Sequence, residues 1–202
     1  MKRQRRLLFL LLLSALLAGA CFFIQAHCPS RGLSFSPNQA AQVRLKNRAV
    51  LPQEADFDPH VTLASLLQVG DDRARWSSAR AARIEGYVVA VTKGGIESAN
   101  CFSLSRRDTH IEVALYPEAP QRERVILEVT PCLRQLMQQQ GQDWSISALR
   151  QWLIGRQCRF EGWLFFDSAH AGEAEHTAPS NEHNWRATAW EIHPVTSIEV
   201  IE

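Results

Sequence analysis

The sequence predicts a mainly β domain with inserted helices, an α+β arrangement in which a five-stranded Greek-key barrel follows an N-terminal signal or anchor helix. Three observations predict it. The chain opens on a basic and then apolar leader, KRQRR at 2–6 and LLFLLLLSALLA at 7–18. Runs rich in β-branched and aromatic residues recur from residue 83 onward. Two helical patterns interrupt those runs between residues 130 and 155.

Composition narrows the classes. A chain of 202 residues, 46% hydrophobic and 21% charged, suits one ordinary globular domain and excludes collagen-like, low-complexity and disordered chains. Only the leader is apolar enough and long enough to concern a membrane, so a polytopic membrane protein is excluded. The net charge of +1 conceals an asymmetry, because Lys2, Arg3, Arg5 and Arg6 all lie in the leader. Eighteen cations then face 21 anions in the remainder, and bulk charge does not favour nucleic acid as a partner.

Residues 1–26 read as a signal peptide or membrane anchor. Ala18-Gly19-Ala20 supplies the small-x-small pattern of a cleavage site. Cleavage after Ala20 leaves Cys21 first, which resembles a lipoprotein site, although Ala18 stands where such sites usually carry Leu. Alternatively residues 7–24 remain as an anchor, at the short end of what spans a bilayer. Cleavage, lipidation and a retained anchor all export residues 30–202, to the periplasm or another extracytoplasmic space, because the cations stay inside. That compartment permits disulfides. With Cys21 set aside, Cys28, Cys101, Cys132 and Cys158 allow three pairings, and their spacing matches no zinc signature.

Residues 27–57, with Pro29, Gly32, Pro37 and Pro52, read as a linker. Residues 58–82 form a short helical lead-in, with Thr62 capping LASLLQ. The domain itself spans 83–202. RIEGYVVAV at 83–91 is a strand, ESANCFSLS at 97–105 a second, and HIEVALYP at 110–117 a third with clear alternation. VILEVT at 125–130 is a further short strand or an extended lead-in. Thr130 then caps a helix with Pro131 at its first position, and Leu133, Leu136 and Met137 form its apolar stripe up to Gly141. Asp143 or Ser145 caps the next, which carries Ile146, Leu149, Trp152 and Leu153 and closes at Gly155. QCRFEGWLFFD at 157–167 is a long strand, 168–184 a polar loop, and 185–202 one or two strands bent near Pro194.

That order, opened by GYVVAV and resumed by GRQCRFEGWLFFD after the helices, resembles the OB-fold over residues 83–202. An open α+β sheet is the alternative. The stretch FEGWLFFDSAH…NWRATAWEIHPVTSIEV resembles the tail of uncharacterised exported bacterial proteins and implies no activity. The OB resemblance implies ligand contacts on the second and third strands and on the loops, which here are 93–97, 100–112 and 168–184. The ligand-binding candidates there are Asn100, His110, Glu112, Asp167, His170, Asn184 and Arg186, with Trp185 beside Arg186 offering a stacking surface.

Strand alternation also places His110 with Glu112 on one face, and Glu191 with His193 on another, while Trp190 and Ile192 turn to the core. Together His110, Glu112, Glu191 and His193 supply the N and O ligands of one divalent metal such as zinc. No G-x-S-x-G elbow, P-loop or dinucleotide fingerprint occurs. The leading expectation is an exported, membrane-tethered binding module of the cell envelope, with a polymer or a protein as partner. The alternative is a metal-dependent hydrolase of phosphodiesters, with Asp167 or His170 as acid or base and Arg186 stabilising negative charge. A third class is a structural lipoprotein whose polar cluster does no chemistry.

Overall fold

The computed structural model describes Cys28, Pro29 and residues 32–201. The expected leader, 1–26, lies outside the described residues. Five strands, β1 (Ala81–Lys93), β2 (Thr109–Ala114), β3 (Val125–Val129), β4 (Gln157–Phe166) and β5 (Trp190–Val200), close into a barrel in the order β1-β2-β3-β5-β4. β3 and β5 run parallel and the other neighbours antiparallel, so the barrel is mixed.

Alternation decides the inner face. Ile84, Val88 and Val91 of β1 meet Ile111 and Val113 of β2, Leu127 and Val129 of β3, Phe160 and Leu164 of β4, and Trp190 and Ile192 of β5. Outward residues of β1 and β4 form exposed ion pairs, Arg83 with Glu161 at 2.5 Å and Arg159 with Glu85 at 2.7 Å. Gly162 is required by a close approach. A Cβ there would stand 2.4 Å from the Pro194 carbonyl oxygen and 2.6 Å from Ile192 Cγ2, where β4 and β5 shift register.

Among the described residues four α-helices accompany the barrel, α1 (Pro37–Lys46), α2 (Leu63–Leu66), α3 (Pro131–Gln139) and α4 (Ile146–Leu153). The Thr130 hydroxyl accepts from Leu133 N, and the Ser145 hydroxyl from Ala148 N. α3 and α4 link β3 to β4 and bury Leu133, Met137, Leu149 and Leu153 against the core.

Three elements differ from the sequence reading. Residues 97–105 are not a strand. They form a 3-10 turn (Ser98–Asn100) followed by Cys101 and Phe102 at φ 53° and 54°, and Cys101 is disulfide-bonded to Cys28. ESANCFSLS carries no β-branched residue to favour an extended chain, and the tie to Cys28 holds it in a loop. VILEV therefore supplies the missing strand, as β3.

Second, the expected linker contains α1. The Ser36 hydroxyl accepts from Gln39 N at 3.2 Å and Pro37 opens the helix, but its apolar face is weak. It forms by docking onto the 98–100 turn and β5. Third, 185–189 belongs to the β4–β5 loop, and β5 is one strand.

Candidate functional site

Two features stand out on this frame: a buried cluster of charged side chains, and an open groove at one end of β2.

The cluster lies on the side of the sheet opposite the apolar core. Thr109 to Ala114 alternate, so His110 and Glu112 share a face, and the β2–β3 register sets His110 opposite Glu128. Glu191 and His193 point the same way from β5, while Trp190 and Ile192 enter the core. α1 and the two long loops cover this face. They contribute Lys46, Glu97, Asp108 and Arg186, and burial of Asp108, Glu128, Arg186, Glu191 and His193 is nearly complete.

The charges stand close to one another. Lys46 Nζ stands 2.6 Å from Glu97 Oε2, Arg186 Nη1 2.7 Å from Glu191 Oε1, and His170 Nδ1 2.6 Å from Asp167 Oδ2. His193 Nδ1 lies 3.0 Å from Glu128 Oε2 and 3.3 Å from Glu191 Oε2, and its Nε2 lies 3.8 Å from Asp108 Oδ2. Phe165 closes one side, edge-on to His193 at 5.5 Å, with Lys46 over its ring.

The electrostatics follow from burial and neighbours. Burial alone would depress Lys46, but Glu128, Glu97, Glu191 and Asp167 outweigh it and hold the ammonium above the ordinary lysine value. Burial pushes Asp108 up to about 7, and the neighbouring Glu128 charge adds to this. Burial also works against the Glu128 carboxylate, yet His193 and His110 beside it keep it well below the ordinary value. The same pairing reverses the effect of burial on His193 and raises it to about 10.

Of the expected metal ligands, the structure brings His110, Glu191 and His193 to this cluster. Glu112 lies beside them on β2, but its carboxylate takes Arg124 at 2.7 Å. Among the described residues the tightest set of possible ligand atoms is Asp108, Glu128 and His193, all within 4.8 Å of one another. Asp108 and Glu128 were not anticipated. Glu128 sits in an apolar strand and acquires meaning only from its register against His110. Lys46 and Glu97 fell in segments read as linker and strand.

The expected ligand-binding residues are mostly built into the covering layer. Asn100, Asp167, Asn184 and Arg186 are buried, and His110 and His170 flank Trp185 at 5.6 and 6.0 Å. Asn184 Nδ2 donates to Glu175 Oε2 and to the Ala178 carbonyl. Arg186 stacks on Trp185 with its guanidinium carbon 4.3 Å from the ring centre.

The groove encloses about 630 Å³ between the lead-in, the β2–β3 turn and the β4–β5 loop. Its apolar lining includes Leu67, Val69, Leu115, Tyr116 and Pro179. Val69 is 89% exposed. Its rim mixes signs, with Asp71, Glu123 and Glu175 beside Arg73 and Arg122. A buried node fixes the walls: Asp72 Oδ2 accepts from the Thr188 hydroxyl at 2.6 Å and lies 3.0 Å from His176 Nδ1, while Trp190 Nε1 donates to the Asp72 carbonyl at 2.8 Å. None of the seven expected ligand-binding residues lines this groove.

No protein-family model, no curated protein and no solved structure matches the chain.

Proposed function

We propose that the protein is an exported, membrane-tethered binding module of the cell envelope, an OB-type barrel held at the bilayer by one pole and receiving a protein partner at the other. The OB-type reading rests on the strand order β1-β2-β3-β5-β4, the parallel β3–β5 pair and the helices between β3 and β4.

The observation that carries the reading is that the Cys28–Cys101 bond and the groove lie toward opposite ends of β2. Cys28 follows the expected anchor directly and is bonded to Cys101 in the loop that enters β2 at Thr109. Leu115 and Tyr116, just beyond Ala114 at the strand's other end, line the groove. Six residues of strand separate the two poles by about 17 Å. The tethered pole exposes Phe35, Ile96, Phe102 and Leu104, with Phe35 stacked on Phe102 at 6.4 Å, as suits a face turned to lipid. A disulfide fits an oxidising compartment.

The partner is an extended protein segment that offers an apolar side chain. A polyanionic polymer would call for a one-signed basic field, and this rim alternates in sign. The metal-hydrolase alternative, built on His110, Glu112, Glu191 and His193, gains no support from access, since Glu191 and His193 are buried and Glu112 is taken by Arg124.

A photo-crosslinking residue placed at Val69, and separately at Glu85 on the outer face of β1, tests this in the intact envelope. Val69 is expected to give one discrete protein adduct that Tyr116→Asp abolishes, and Glu85 none. Equal adducts from both positions, or none from Val69, would contradict the proposal.

A further inference from the structure

We propose that Asp108, Glu128 and His193 hold one divalent transition-metal ion of the zinc type as a structural centre, locking the β1–β2 loop to β3 and β5 beneath α1. The inference is independent of what the groove binds.

Three observations carry it. The first is the donor set. One imidazole and two carboxylates, from a loop and two different strands, present ligand atoms within 4.8 Å of one another. A tetrahedral site with bonds of about 2.1 Å has ligand atoms about 3.4 Å apart, so movements below an ångström would close it. Imidazole with carboxylate oxygen suits zinc and its neighbours better than calcium or magnesium, which favour all-oxygen shells.

The second is that the donors are unpartnered. Asp108 Oδ1, Glu128 Oε2 and His193 Nε2 are buried without a hydrogen-bond partner among the described residues. Glu128 Oε2 is near His193 Nδ1 but off the line of a hydrogen bond. Three buried polar atoms left unpaired on three neighbouring side chains are a costly arrangement unless something binds them.

The third is the pairing of charges. Five carboxylates meet here. Lys46 is taken by Glu97, Arg186 by Glu191, and His170 by Asp167. Asp108 and Glu128 remain, both facing His193. A divalent cation would displace the imidazolium proton and take its place as their counter-charge.

The surroundings also suit a ligated histidine. With Nε2 on the ion, His193 Nδ1–H faces Glu191 Oε2 at 3.3 Å, and Arg186 holds Glu191 in turn. A carboxylate orienting the imidazole in this way is the usual support of a metal-bound histidine. His110 braces Glu128, with Nδ1 3.4 Å from Oε1. Complete burial makes the site structural, because no substrate or bulk water reaches it.

The test uses the full chain, purified without a histidine tag, stripped by unfolding with chelator and refolded with or without equimolar Zn²⁺. Wild type is expected to retain one zinc per chain after gel filtration and to unfold at a higher temperature than the zinc-free sample. Cobalt in place of zinc should give the visible absorption of a low-coordinate N/O site. His193→Gln and Asp108→Asn should each weaken zinc binding at least ten-fold, and Glu112→Gln should leave it unchanged, with circular dichroism verifying the fold. Failure of wild type to retain stoichiometric zinc overturns the proposal whatever the variants do. So does undiminished binding in a folded His193→Gln protein.

Discussion

Arg186→Met is expected to destabilise the protein by about 3–5 kcal/mol, the cost of leaving a buried charge without its partner. Arg186 is 1% exposed and its Nη1 stands 2.7 Å from Glu191 Oε1. Methionine fills similar space and removes the charge, so the Glu191 carboxylate is stranded among Glu128, Asp167 and Asp108. Urea denaturation of both proteins measures the difference. Arg186→Met/Glu191→Leu should recover much of the loss, because replacing both ions with apolar groups removes the stranded charge. Arg83→Ala, which breaks the exposed pair with Glu161, should cost no more than about 1 kcal/mol. An Arg186→Met effect as small as that of Arg83→Ala would mean that the cluster is open to water.

The second large effect is expected from the Cys28–Cys101 bond. It joins residues 73 apart in sequence, and a closed loop of that length restricts the unfolded chain by about 4 kcal/mol in the chain-entropy account. Cys28→Ser/Cys101→Ser should lower the unfolding midpoint accordingly. Reductant should lower wild type to the same level and leave the double variant unmoved. Among the described residues the other two cysteines, the exposed Cys132 and the buried Cys158, are free, and Cys21 lies outside those residues. Without the bond, α1 still holds to the loop through Lys46–Glu97 and through Asn47 Nδ2 to the Ala99 carbonyl, so the segment loosens without detaching. No shift on reduction would contradict the pairing.

The barrel was legible where local chemistry and tertiary structure agree. The capped starts of α3 and α4, the β-branched run of β1 and the apolar run of β4 each depend on neighbours within a few residues, and each falls close to its expected place. Residues 97–105 form a loop rather than the expected second strand because Cys101 is tied to Cys28, a long-range bond that no local pattern encodes. α1 was missed because its stability comes from docking, which composition does not encode.

The polar cluster divides in the same way. Strand parity put His110, Glu191 and His193 on the right faces. Parity alone could not say that Arg124 takes Glu112, or that β2–β3 register sets Glu128 against His110. Asp108 and Lys46 lie outside the strands and join the cluster only through chain paths that a single sequence does not specify. The groove left no motif at all, since its walls come from three segments distant in sequence.

The proposed barrel is fixed to the bilayer by one pole and carries its groove at the other. Fluorescence quenching tests it most directly. The full chain is placed in phosphatidylcholine vesicles whose headgroups carry a quencher, with an environment-sensitive fluorescent residue at Leu104 or at Tyr116. Strong quenching at Leu104 and little at Tyr116 is the predicted result. Equal quenching at the two positions, or stronger quenching at Tyr116, would contradict the account.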